Sequence, residues 1–180
     1  MDKAKIMEGV RLILEGIGEN LAREGLQKTP DRVAEMCEEI FGGYAETGKL
    51  SAGFPEDAGN NVVLIKDIAF YSMCEHHFLP FFGKVHILYV PQNNRMAGFS
   101  SMAKIVDAFS RRLQIQERLG AQIADAIVDA LAPEGVMVTI EATQLCASMR
   151  GRHKKEMTTV TQVVRGKLPA ERIQHLRNNF

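Results

Sequence analysis

The chain has no excess of charge of either sign: 22 lysines and arginines stand against 22 aspartates and glutamates over 180 residues. That removes any global attraction to nucleic acid or to an anionic membrane, so neither is expected as a partner and a basic site has to be local. Cysteine is scarce. Three of them, in a chain whose opening MDKAKIMEGVRLILEGIGEN lacks the apolar run and cleavage site of a signal peptide, argue for reduced thiols and against a disulfide frame. No apolar stretch approaches the length of a membrane span. There is no internal repeat and no low-complexity tract. A cytoplasmic protein is expected. What is present is a 46% hydrophobic composition, enough for one domain with a substantial core, or a domain with a small appendage.

Periodicity orders the elements. Ile6, Val10, Ile13, Leu14, Ile17 and Leu21 recur at helical spacing. Thr29 followed by Pro30 predicts a helix start, with a capping hydroxyl and a proline where no amide hydrogen is needed. Val33, Met36, Cys37, Ile40 and Phe41 form that helix's apolar stripe, so Cys37 reads as core. Gly42 and Gly43 stop the helix, and residues 45–60 read as loop. The period then changes. VVLIKDIAF is rich in β-formers, and KVHILYV alternates, with Val85, Ile87 and Tyr89 on one face and His86 on the other as a surface residue. Met102, Ile105, Val106, Phe109 and Leu113 mark a helix, and Leu119, Ile123, Ala126, Ile127 and Leu131 a second. VMVTIEATQLC and EMTTVTQVV read as strands, and PAERIQHLRNNF as a short helix with a polar end. The order α-α-β-β-α-α-β-β-α predicts an α+β domain: an antiparallel sheet whose strand pairs are separated by a helix pair, behind N-terminal helices. Such a sheet has edges to protect, which favours oligomerisation.

The chemistry concentrates in YSMCEHHFLP, residues 71–80. Cys74-x-x-His77 alone is a weak metal signal, equally well explained by a buried cysteine beside turn histidines. The strand expected to end at Cys146 supplies a second thiol. Two sulfurs and one imidazole leave the fourth tetrahedral position of a Zn2+ ion open, as a catalytic site requires and a structural site does not. His76 points away from its neighbour and can carry protons, and Glu75 can orient a ligand or a base. Alternation puts Val138, Ile140, Ala142, Gln144 and Cys146 on one face, so Gln144 is expected beside the metal ligand. Its amide can donate and accept hydrogen bonds but cannot take up a proton.

Four stretches, REGLQKTPDRVAEM, YSMCEHHFLPFFGKVHILYVP, SRRLQIQERL and EATQLCASMRG, together resemble the GTP cyclohydrolase I family over essentially the whole chain. The resemblance implies a tunnelling fold over 61–180 as the catalytic domain, behind an N-terminal helical segment over 1–60. It implies a toroidal homodecamer with sites at subunit junctions. It implies zinc-assisted attack of water on C8 of guanine in GTP, ring opening, loss of formate and closure of a pterin ring to dihydroneopterin triphosphate. On the matching positions, Cys74, His77 and Cys146 are the zinc ligands and His76 a catalytic histidine. Glu117 reads the guanine N1 and amino edge with Gln116 beside it, and Ser100 and Arg150 bind phosphate.

The chain also departs from that pattern. Where the family reads Gly-Leu-Ser-Lys and then arginine, this sequence has Gly98-Phe99-Ser100-Ser101, with Lys104 at the arginine's place. Where the family has a histidine two residues before the second zinc cysteine, it has Gln144. Losing a general acid or base commonly costs roughly two to four orders of magnitude in rate. Three readings follow. One is an ordinary GTP cyclohydrolase I in which His76 or water compensates for Gln144. Another is a paralogue acting on a related purine with fewer phosphates, or stopping after ring opening. The third is a silent zinc-bound regulatory member, which an open metal position disfavours.

Overall fold

In the computed structural model, residues 1–49, 53–56, 61–92, 95–150 and 157–174 are described, and the chain divides into two compact units, Met1–Gly42 and Gly43–Phe180. The first unit is a pair of helices, α1 (Lys3–Gly16) and α2 (Thr29–Ile40). The Asp2 carboxylate caps α1 by accepting the amide hydrogen of Lys5 at 3.1 Å, which satisfies one of the unpaired donors of a helix start. Lys3 and Glu38 join the two helices at 2.7 Å. Thr29 is not the cap that its position before Pro30 suggests. The turn Leu26–Thr29 already winds the chain, so Thr29 enters the helix and its hydroxyl donates back to the Gly25 carbonyl at 3.5 Å. Lys28 occupies the cap position without a side-chain bond, and Pro30 opens the helix as expected.

The second unit is built on a sheet. Strands β1 (Phe54–Pro55) and β4 (Arg95–Met96) form a two-residue ribbon of their own. The main sheet contains β2 (Val63–Cys74), β3 (Pro80–Val90), β5 (Leu113–Gln114), β6 (Gly135–Gln144) and β7 (Thr158–Gly166), in the order β5-β2-β3-β6-β7. Helices α3 (Phe99–Ser110) and α4 (Gln116–Leu131) lie between β4 and β6 in the chain, α5 (Leu145–Ser148) is a single turn after β6, and α6 (Ala170–Ile173) closes the described tail. The α+β class and the order of the long elements stand, while β1, β4, β5 and α5 are short additions that the sequence reading did not contain. The polar end expected beyond α6 lies outside the described residues.

One face of the sheet carries the core. Ile87, Tyr89, Val138 and Ile140 meet Met102 and Ile105 of α3 and Leu119, Ile123 and Ile127 of α4, all fully or almost fully buried. Each such side chain contributes about 2 kcal/mol over its exposed state. Strands approach so closely at Gly83, paired with Ala142, that a β-carbon there would overlap the Glu141 carbonyl oxygen.

Three further expectations differ from the structure. Leu113 does not end a helix: α3 stops at Ser110, and Leu113 enters β5, which pairs with β2 in parallel. The sheet is therefore mixed, with every other neighbour antiparallel. Strand β6 ends at Gln144, and Cys146 sits in the helical turn α5 beyond it. His86 is not at the surface. It is 4% exposed, because the second face of the sheet is also covered. There Leu88 and Met137 pack with Ile173, Val62, Leu64 and Leu168.

Candidate metal centre and active site

Strand β2 delivers Cys74 as its last residue, and the chain turns back at once. The Cys74 carbonyl accepts the amide hydrogen of Phe78 at 2.9 Å, and the Cys74 amide donates to Leu79 at 2.9 Å. This turn is helix-like, so residues three apart share a side, and His77 folds back over Cys74 with its Nδ1 3.8 Å from the sulfur. Phe78 takes a left-handed conformation, φ +54°, which reverses the chain into β3. On the far side of β3, the register Phe81–Gln144 brings the end of β6 level with the start of β3. The turn α5 then carries Cys146 to the same place.

The ligand atoms of Cys74, His77 and Cys146 all lie within 4.8 Å of one another. Two sulfurs bound tetrahedrally to one zinc at about 2.3 Å stand roughly 3.8 Å apart, so this donor set fits such an ion closely. Its electrostatics fit as well. Burial, and then the neighbouring Cys74 thiol, push the Cys146 thiol upward, a tension that a divalent cation would relieve. Cys74 is buried, Cys146 half-buried and His77 exposed, so the group opens to solvent on the histidine side. Cys37 stands in the first unit, half-buried on α2, its thiol raised by burial.

The residues around this group fall into two sets. Glu75 accepts both arms of the Arg118 guanidinium, one of them at 3.0 Å, and this pairing holds its carboxyl below the usual carboxylate range. The exposed His76 has Nε2 3.8 Å from Oε1 of Glu75, and its ring is turned 73° from that of His77. On the other side, Gln144 donates from Nε2 to Oε1 of Gln116 at 2.7 Å. Gln116 is 3% exposed, and its own amide donates to Ile140 and Thr159 carbonyls and the Thr161 hydroxyl at 2.9–3.1 Å. Arg118 escaped the sequence reading. The available signal was its position in QERL, directly after Glu117.

A family model described as GTP cyclohydrolase I matches residues 6–180. The chain belongs to the GTP cyclohydrolase I family. A GTP cyclohydrolase 1 of Clostridium perfringens is 53% identical over 169 residues, covering 93% of this chain and 90% of that relative. One from Carboxydothermus hydrogenoformans is 50% identical, covering 92% and 87%, and one from Streptococcus sanguinis 49%, covering 96% and 94%. Among solved structures, an archaeosine synthase QueF-like protein in the apo form aligns with a TM-score of 0.51 at 18% identity, over 62% of this chain and 99% of that one. The fold is the tunnelling fold.

The remaining positions that the family resemblance selects are spread over two helices and the segment after α5. Glu117 is exposed on the first turn of α4. Ser100, Ser101 and Lys104 lie on the opening turns of α3, Ser100 and Lys104 exposed and Ser101 half-buried. Ser101 and Lys104 line a cavity of about 230 Å³ with Glu46, Thr47, Gly48 and Lys49. Arg150 is exposed just after α5.

Proposed function

We propose that the protein is a zinc-dependent GTP cyclohydrolase I, opening the guanine ring of GTP at C8, releasing formate and yielding 7,8-dihydroneopterin triphosphate. The observation that carries this reading is the convergence of Cys74, His77 and Cys146 in a chain about half identical to GTP cyclohydrolase 1 proteins along nearly its whole length. When bound there, zinc supplies Lewis acidity and makes water a usable nucleophile near neutral pH. The chain supplies the rest. Glu117 accepts the N1 hydrogen and the 2-amino group, a paired geometry that a single carboxylate matches. His76 moves protons at the ring nitrogens from the exposed turn after β2, with Glu75 holding that turn in place. Ser100, Ser101, Lys104 and Arg150 take the triphosphate. The protein works in the cytoplasm, as a homodecamer with sites at subunit junctions, and feeds tetrahydrofolate biosynthesis.

A second reading has its own support. The Gln144 amide is engaged by Gln116 and cannot cycle a proton, and Ser101 brings no charge to the phosphates. Both favour a related purine substrate with a shorter tail, or a stop after ring opening. A panel of GTP, GDP, GMP and guanosine given to the zinc-loaded protein, followed by formate release and ultraviolet spectra, separates the two. Turnover fastest with GTP supports the first, and a shorter substrate or an opened formamide product supports the second. Cys74→Ser or Cys146→Ser should reduce zinc from one per chain to near none, and abolish turnover. Full zinc content in both variants overturns the ligand set.

A further inference from the structure

The first turn of α4 carries three polar side chains in a row, and the outer two reach to the two chain segments that carry the candidate ligands. Arg118 grips both oxygens of Glu75, the residue between Cys74 and His76. Gln116 holds the amide of Gln144 at 2.7 Å, two residues before Cys146. The main chain adds to the first attachment: the Glu75 amide donates to the Gln114 carbonyl at 3.1 Å, and β5, which leads into α4, pairs with β2 at Cys74–Gln114. A single helical turn is thus fastened to both segments that bear ligands, while Glu117 stands exposed between the two fastenings.

We infer that Gln116 and Arg118, with their partners Gln144 and Glu75, are positioning residues that fix the separation between the metal centre and the base-reading carboxylate. This rests on the reading of Glu117 given above. The chemistry suits the role. A guanidinium on a carboxylate is a planar two-point clamp, which a point charge cannot reproduce. The buried Gln116 amide has its polar atoms satisfied within the chain, so losing one partner leaves an unpaired group. Gln144 then has a use that needs no proton transfer: it holds α4 to the Cys146 segment. Loosening either brace leaves metal site and base reader each intact but misplaced, and a displacement of about 1 Å can cost on the order of 10²-fold in rate.

The test uses the full-length, zinc-loaded protein with Arg118→Gln, Arg118→Lys and Gln144→Leu, and the guanine compound it turns over fastest. Zinc content, melting temperature, guanosine affinity, kcat and KM are measured. The expected result is one zinc per chain, melting like the wild type in Arg118→Gln and modestly lower in Gln144→Leu, guanosine affinity little changed, and kcat lower by about 10²-fold in both. Arg118→Lys should fall between, because it keeps the charge and loses the clamp; if the harsher variants do not fold, it decides alone. Wild-type kcat in the folded variants overturns the inference, as does a loss of kcat that only tracks lost zinc or lowered melting. Glu117→Ala separates the two layers. If it binds guanosine as the wild type does, the base reading itself fails; if it loses guanosine while the brace variants keep kcat, only the brace fails.

Discussion

The Nδ1 atom of His86 accepts the amide hydrogen of Asp67 at 3.2 Å, which requires a neutral ring. Burial lowers the imidazole's pKa below its ordinary value of about 6.5, against the opposing pull of Asp67 and Glu141. As pH falls, the unfolded chain therefore takes up this proton first. The stability that His86 contributes is complete above pH about 6.5 and is lost as pH falls through the lower folded value. Thermal melting of the wild type is expected to drop between pH 7 and pH 5, and His86→Gln should flatten that slope. Parallel slopes for the two proteins would contradict the assignment. At this scale the grouping of Cys74, His77 and Cys146, which could hold a metal, was legible only once Cys146 was set beside Cys74-x-x-His77. The burial of His86 was not, because strand alternation says which residues share a face and nothing about whether the tail covers it. Arg118 was illegible for a similar reason: a charge on a first helical turn reads as solvated until its partner across the fold is known.

Elements were legible where their period was long and regular. The spacing in α3 and α4 and the alternation in β3 each had one structural solution. The misreadings fall at ends. Leu113 continues α3's apolar spacing but belongs to β5, since two residues of strand leave no period to detect. Cys146 continues β6's alternation but lies in a single helical turn. That turn matters, because it moves the thiol off the sheet and toward Cys74. The pairing that brings the two cysteines together runs through β3, and it depends on the close approach at Gly83. Gly83→Ala would force a β-carbon against the Glu141 carbonyl, and is expected to cost about 3 kcal/mol or more in chemical denaturation. Zinc retention should weaken with it. A substitution cost under about 0.5 kcal/mol, the range of neutral surface changes, would mean the strands can separate there freely.

At the scale of the whole molecule, the sheet ends on β7, whose residues alternate between half-buried and exposed, and Val160 and Val164 are 59% and 46% exposed. An open edge strand of nine residues with two exposed valines invites pairing. Sedimentation is expected to give an assembly of ten copies, and Val160→Lys with Val164→Lys should shift it toward smaller species. A monodisperse monomer of the wild type would contradict the proposed decamer. The proposed assembly rests only on the family resemblance and the general cost of open edges. The α+β order came from periodicity, and the tunnelling fold from the four matching stretches.

On the proposed function, one subunit's Cys74, His77 and Cys146 hold the zinc with which guanine is opened at C8. The most direct test of this is stoichiometry: zinc-loaded protein with GTP, and in parallel with GMP and guanosine, each labelled at C8, counting labelled formate against the pterin formed. The expected result is labelled formate in equal amount to dihydroneopterin triphosphate, or formate or a formamide product from a shorter guanine compound if the second reading holds, with neither from Cys146→Ser. Protein carrying one zinc per chain that opens no guanine compound would contradict it.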